Sequence, residues 1–486
     1  MGQPVCSRDA GAFRTAVCAG ILSGVATNAE LETDYLVVGS GLAGMAFVDT
    51  LLDASDADVV MVDRRHAPGG HWLDAYPFVR LHQPSEWYGV GSTALDDDRR
   101  EVDGPEQGYY SRVGGGDLVT YFDRVMRDRF LPSGRVRFLP MTEHLPPGRL
   151  RSLLGGRETT VHVRRAVVDA TYTHSENPES YPPPFEVDVG ARLLTPSALT
   201  RLRATPEAVV VIGTGKTAMD TVGWLLDVGC PPDRIVWVRT REAWLHNRRY
   251  LQPGELAGLT VEGTVCFLEA LASASTTTEV YERLEADGVV LRIDRDVWPT
   301  VFRGPTISAH EVEQLRRVER VVRKGRVTRI GPGSMDLEEG SVELPEGAVY
   351  VHCAAPGLPR NPAVPVFGPG TITIQYLTRA SMSLSSAAIA RTECLDLSLE
   401  EKNRLCPAMP LPGTPREYLQ MLLGGQATEH RWRSQPELAS WFGSTRVNVT
   451  RSRNGSSPTS PALRARLQAA AGPAYERLDD LVRNDL

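Results

Sequence analysis

The chain has 486 residues, 42% hydrophobic and 23% charged, with 53 basic against 60 acidic side chains and a net charge of −7. This excludes a disordered chain or a fibrous repeat, and no basic excess exists to serve a nucleic-acid backbone. At ~100–200 residues per domain, two to three domains fit.

Residues 16–26 (AVCAGILSGVA) are mildly apolar and follow Arg8 and Arg14. They are too short to span a bilayer and read as an N-terminal helix packed on the fold. No other run reads as long enough to be transmembrane, so the expectation is a soluble, cytoplasmic protein with no membrane partner.

From Asp34 the pattern sharpens. Residues 34–38 (DYLVV) form an apolar strand that runs into glycines, a helical pattern covers 42–52, and a second strand covers 58–62. Strand, glycine-rich turn, helix and strand open a doubly wound α/β fold. Gly39-Ser40-Gly41-Leu42-Ala43-Gly44 is G-x-G-x-x-G, and Asp63 ends the next strand 24 positions after Gly39. The glycines allow a tight turn, a close approach to pyrophosphate and close helix–strand packing. The helix N-terminus, with Leu42 and Ala43 in its first turn, offers N–H groups to phosphates. Asp63, followed by Arg64, is placed to accept the ribose hydroxyls of an adenosine.

Gly69-Gly70-His71-Trp72 follows shortly. A glycine pair lets the chain pass under a bulky ligand, which an NAD site alone does not need. The extended segment Phe78 to Pro84 carries His82 and Gln83 and could line the face of an isoalloxazine ring; ordinary packing is the competing reading for these polar side chains. Residues 177–185 (NPESYPPPF) are too proline-rich for a helix interior and read as a connector.

The opening series then returns: strand 208–212, helix 217–226, strand 234–238. Its turn, Gly213-Thr214-Gly215-Lys216-Thr217-Ala218, is G-x-G-x-x-A. Gly-Lys-Thr also suggests a P-loop, but Val210 stands where that loop needs its first glycine. Lys216 and Asp220 form an i,i+4 pair, and Lys216 stands beside the phosphate loop. No acid ends the following strand; Arg239 and Arg241 stand there, which favours the 2′-phosphate of NADPH over NADH. Only three lysines occur in the chain, so 50 of its basic residues are arginine, and the preference is correspondingly modest. The segment Trp244 to Arg249 either lines the nicotinamide or substrate side or packs as a loop. Val312, Leu315, Val318, Val321 and Val322 have helical spacing across 310–322. Residues 451–460 read as a loop and 461–486 as a helical tail.

Seven cysteines without a C-x-x-C pair argue against a disulfide framework or a dithiol centre, and the histidines form no metal-ligand cluster. No metal is expected.

The two loops, Asp63, Gly69 to Trp72 and Arg239 together resemble the two-dinucleotide-binding flavoprotein monooxygenases, the flavin-containing monooxygenase and amine N-hydroxylase-like superfamily. Weaker matches are Asp169-Ala170-Thr171, Cys353-Ala354-Ala355 and the stretch 372–393. The resemblance covers roughly residues 30–425.

It implies an α/β fold with two Rossmann-like domains and a helical C-terminal extension. The FAD domain would take residues 30–200 and return at 350–425, the NADPH domain 201–349 and the extension 426–486. FAD would be held by Gly39, Gly41, Leu42, Ala43, Gly44, Asp63, Arg64, Gly70, His71 and Trp72. NADPH would be held by Gly213, Gly215, Lys216, Thr217, Ala218, Arg239 and Arg241. The implied reaction is oxygen transfer from a C4a-(hydro)peroxyflavin, with Gln83 or His82 as donor beside the flavin. Its partners are dioxygen and a small-molecule substrate, and a homo-oligomer is compatible.

The linker Phe-x-Gly-x-x-x-His of the sulfoxidising and Baeyer–Villiger branches is absent after Phe185, which turns the expectation toward N-oxygenation of an amine or amino-acid-type substrate. A flavin reductase that never uses dioxygen, and a redox-sensing nucleotide-binding protein, are the alternatives.

Overall fold

A computed structural model describes residues 29–96, 98–378, 381–449 and 460–484. The apolar stretch 16–26 and nearly all of the loop 451–460 lie outside the described residues.

Two parallel sheets organise the chain. In the first, β1 (Ala29–Val38) lies between β2 (Val59–Val62) and β4 (Glu158–Asp169), with β3 (Val136–Leu139) beyond β2 and the strand Thr371–Thr373 beyond β4. All of these pairings are parallel. Strands buried on both faces need continuous apolar runs rather than alternation, and Val59 to Val62 are all buried. Tyr35, Val37, Val59 and Met61 face a large core that includes α1 (Leu42–Ala54), while Leu36, Val60 and Val62 face a smaller one.

The second sheet repeats the plan. β5 (Val209–Ile212) lies between β6 (Ile235–Val238) and β8 (Val349–His352), with β7 (Val321–Val322) outside β6 and the strand Arg192–Leu194 outside β8. The helix α2 (Lys216–Asp227) follows β5 and buries Ala218, Met219 and Val222. In both sheets the strand order reverses beside the strand that carries the glycine turn. That switch point is where a doubly wound sheet opens a crevice at its carboxyl edge. The chain is thus an α/β protein with two Rossmann-like units.

The region 310–322 departs from the expected single helix. α4 (Ala309–Arg316) starts at a capping box made by Ser308 and Glu311 and stops at Arg317. Val312, Leu315 and Val318 reach the core, but the β-branched pair Val321–Val322 joins the sheet as β7. Valine's stiff χ1 suits a pleated edge better than a helix, and helical spacing alone did not reveal the break.

One helix also runs against expectation. Residues 254–273 are long and apolar enough to cross a membrane by length and composition, with mean hydropathy 1.4. Within this stretch α3 (Ala257–Ser273) packs instead on the terminal helix α5 (Pro461–Asn484). Val265, Leu268 and Leu271 meet Ala474, Leu478 and Leu481 there, and Arg466 pairs with Glu269 at 2.7 Å. Between them in sequence, the helix Pro415–Ser434 sends Tyr418 into this cluster and Trp432 into the core of the first unit.

Candidate functional site

The first glycine turn is held by backbone geometry that side chains would break. Gly39 has φ 104, in the left-handed region. A Cβ on Gly44 would stand 2.0 Å from the Gly39 carbonyl, so the third glycine lets α1 lie against its own turn. Gly41 and Gly70 face each other from separate segments: a Cβ on Gly70 would come within 2.9 Å of the Gly41 Cα. No side chain caps α1 at Gly41, which leaves the first-turn N–H groups of Leu42, Ala43 and Gly44 for an outside acceptor.

Asp63 is buried and already engaged. Its Oδ2 accepts from the Ser40 backbone N–H at 2.7 Å and the Ser40 hydroxyl at 2.8 Å, and its Oδ1 accepts from the Arg65 N–H at 2.8 Å. A carboxylate has about four acceptor positions, so one remains for a ribose hydroxyl. Arg64 is exposed beside it. His71 and Trp72 lie together with ring centroids 4.7 Å apart, and the Trp72 indole N–H donates to the Tyr88 hydroxyl at 2.7 Å. Burial, followed by the Arg65 charge, lowers the His71 imidazolium to about 4, so the ring is neutral at physiological pH.

At the second turn Gly213 has φ 147, and a Cβ there would meet the Cys353 carbonyl at 2.5 Å. Gly215 is different: a Cβ would meet nothing within 4 Å. α2 likewise has no side-chain cap. Ala218 packs in the core, and the indole N–H of Trp237 donates to the Gly213 carbonyl at 2.8 Å.

The two arginines after β6 part company. Arg239 is 4% exposed, and its guanidinium pairs with Glu242 at 2.7 Å and Asp294 at 3.7 Å. Arg241 is exposed. It lies close enough to Arg303 to help hold that guanidinium below its usual range, after burial and Arg360.

The segment after the glycine pair joins the two units. The Tyr76 hydroxyl donates to Asp220 Oδ2 at 2.7 Å, and Lys216 pairs with the other oxygen of the same carboxylate. Phe78 stacks on Trp224 with centroids 4.8 Å apart and planes 9° from parallel. Thr217 is half-buried at the same helix start. His82 is held well below its usual pKa, first by burial and then by the charges of Lys216, Arg248 and Arg112. Its ring is therefore neutral, with one N–H to donate. Gln83 is half-buried and makes no hydrogen bond among the described residues.

The structure brings His82 and Lys216 together from turns more than a hundred residues apart, and adds Tyr76, Asp220 and Arg248 to them. Tyr76 carried no signal in sequence, because its partner lies 144 residues away. Trp244 to Arg248 pack inward while Arg249 is exposed: Trp244 stacks on Tyr281, and His246 Nε2 is 2.7 Å from the Tyr418 hydroxyl. Among the described residues no group of three or more His, Cys, Asp or Glu could hold a metal ion.

A family model described as an NAD(P)-binding Rossmann-like domain matches residues 37–93, which spans the first turn, Asp63 and His82. The uncharacterized protein Rv2000 of Mycobacterium tuberculosis is 41% identical over 420 residues, covering 86% of this chain and 78% of that one. The chain belongs to the family of this mycobacterial protein. Among solved structures, this family member is similar to cyclohexanone monooxygenase from Rhodococcus sp. Phi1 bound to NADP+. Identity there is 14%, with 94% of this chain and 99% of that one covered and a TM-score of 0.47. It is also similar to a flavin-containing monooxygenase from Stenotrophomonas maltophilia, at 17% identity, 77% and 99% coverage and a TM-score of 0.44.

Proposed function

We propose that this protein is an FAD- and NADPH-dependent monooxygenase that oxygenates a nitrogen on a small amine or amino-acid-type substrate. The observation that carries the reading is the pairing of two glycine-turn units by one segment. Tyr76 to Gln83 follows the first turn, and its Tyr76 and Phe78 lie along the helix that opens the second, against Asp220 and Trp224. A flavin on the first turn and a nicotinamide on the second would meet over this segment.

The residues fit the two dinucleotides. The uncapped N-termini of α1 and α2 would take the two pyrophosphates, the Gly41–Gly70 approach keeps side chains out of the first phosphate path, and Asp63 would hold the adenosine ribose of FAD. Arg64, His71 and Trp72 would flank it. Gly213, Gly215, Lys216, Thr217 and Ala218 would form the NADPH turn. Arg241 would meet the 2′-phosphate, and Arg239, already paired with Glu242, would support the strand end from within.

Bound FAD, reduced by NADPH, supplies the oxygen-activating chemistry. The chain's part is to orient and to exclude water. His82, neutral and shielded, offers an uncharged donor beside the flavin, and the adjacent Gln83 amide offers a second. Lys216 keeps a positive charge next to this donor, balanced by Asp220. The N-oxygenating branch is favoured by the departure after Phe185, where the linker histidine of the other branches has no counterpart.

The test compares NADPH oxidation in air, with oxygen consumption followed alongside, against oxidation under argon with an artificial acceptor. Oxygen uptake that an amine substrate couples to N-hydroxy product supports the reading. Turnover with the artificial acceptor and none with oxygen would make the protein a reductase. Flavin binding without turnover would make it a sensor.

A further inference from the structure

Arg248 is a fully buried guanidinium with every nitrogen engaged. Its Nη1 pairs with Glu106 and with Glu311 Oε2 at 2.6 Å, its Nη2 donates to the Thr306 carbonyl at 3.4 Å, and its Nε donates to the His82 carbonyl at 3.2 Å. Arg112 completes the cluster, donating to Glu106 Oε2 at 2.8 Å and lying 3.7 Å from Glu311. Two carboxylates balance two guanidinium groups.

The partners come from both units. Glu106, Arg112 and His82 belong to the excursion that follows the first glycine turn, whereas Arg248, Thr306 and Glu311 belong to the second unit. Glu311 is also half of the capping box that starts α4, so its carboxylate is fixed by a hydrogen bond from the Ser308 N–H at 2.8 Å. Gln252 adds a neutral link, accepting from the Tyr110 N–H and donating to the Arg248 carbonyl, each at 3.0 Å. Burying Arg248, Arg112 and Glu106, with Glu311 half-buried beside them, is costly, and apolar residues of like volume often hold such surfaces together as well. What a forked, planar guanidinium adds is direction: it fixes the His82 carbonyl relative to Thr306 and Glu311.

We propose that Arg248 is a positioning residue for the transfer of hydride between the two dinucleotides. It acts through the backbone of Leu81 to Gln83, setting the height of the flavin-facing segment above the NADPH-binding unit. This rests on the flavoprotein reading above. A misplacement near 1 Å in a reacting pair costs on the order of 10²-fold in rate.

The decisive variant is Arg248→Lys, which keeps the charge but loses the Nε and Nη2 bonds; Glu106→Gln, which weakens the clamp from the other side, is the companion should the first fold poorly. Two readouts are taken on the FAD-loaded protein. One is hydrogen–deuterium exchange over residues 79–85. The other is anaerobic stopped-flow reduction by NADPH, resolved into a dissociation constant and a limiting rate. The expected result is faster exchange over 79–85, unchanged exchange over the turn 39–44, an NADPH dissociation constant within twofold of the parent, and a limiting rate lower by roughly 10- to 100-fold. A purely structural role would instead lower FAD content or the melting temperature and leave the limiting rate per bound flavin as it was. That outcome overturns the proposal, as does an unchanged rate with faster exchange. If the parent protein binds no flavin, the function reading falls and this proposal with it; a yellow parent with an indifferent Arg248→Lys refutes the proposal alone.

Discussion

Gly215→Ala separates a glycine kept for the fold from one kept for a ligand. Gly215 has φ −84 and ψ −178, which alanine adopts without strain, and the added methyl meets no protein atom within 4 Å. Loss of glycine freedom in the unfolded chain stabilises by about 0.4–1 kcal/mol. Alanine is a poorer N-cap than glycine by a comparable ~0.5–1 kcal/mol, so the melting temperature should barely move. The methyl would, however, occupy the approach of a pyrophosphate to the first turn of α2. A methyl forced into a close contact costs about 1–3 kcal/mol, which is a roughly 5- to 150-fold weaker NADPH dissociation constant. The assay is fluorescence titration of the FAD-loaded protein with NADPH, beside thermal melts and flavin content. Gly213→Ala is the contrast: its Cβ would meet the Cys353 carbonyl at 2.5 Å, so stability itself should drop. NADPH affinity within twofold of the parent in Gly215→Ala, at an unchanged melting temperature, would refute the placement of the reductant on this turn.

Gly41→Asp should abolish flavin binding by setting a carboxylate against the pyrophosphate; retained yellow colour counts against the first turn as its site. Arg241→Ala should raise the KM for NADPH more than that for NADH and leave stability within about 0.5 kcal/mol, checked by steady-state kinetics with both reductants and by denaturant unfolding. Arg239→Ala should destabilise by about 3 kcal/mol, since it strips the 3%-exposed Glu242 of its closest partner; equal unfolding midpoints would contradict this. Stability should also fall as the pH drops from 6.5 toward 4. Burial lowers His71 and His246 to about 4, so across that window the unfolded chain takes up protons that the folded one refuses. The slope is at most about 1.4 kcal/mol per pH unit for each histidine, and His246→Gln should remove its share in urea titrations at stepped pH; an unaltered slope would refute it.

Both glycine turns were legible in sequence because strand, turn, helix and strand are local, and their apolar runs coincide with strands buried on both faces. β1, β2, β5 and β6 accordingly fall within a residue or two of their expected bounds at most ends, although β1 begins earlier, at Ala29. The break after Arg316 was not legible, since a half-buried valine pair suits a helix stripe and a strand alike. Nor was the apolar helix α3, whose partner α5 lies nearly two hundred residues on.

The site was half legible. His82, Gln83 and Lys216 stood out by neighbourhood to their turns, but nothing local said that Tyr76 would reach Asp220, or that Arg248 would reach the His82 carbonyl across 166 positions. In a chain with 50 arginines a single buried one carries no mark. Arg239 and Arg241 looked alike until packing buried the first against Glu242 and left the second outside.

The most direct measurement is the identity of whatever the purified protein releases on denaturation. The account requires a yellow protein whose released chromophore is FAD, in stoichiometric amount, and whose visible spectrum is bleached by NADPH faster than by NADH. A colourless protein that stays colourless after incubation with FAD would contradict it.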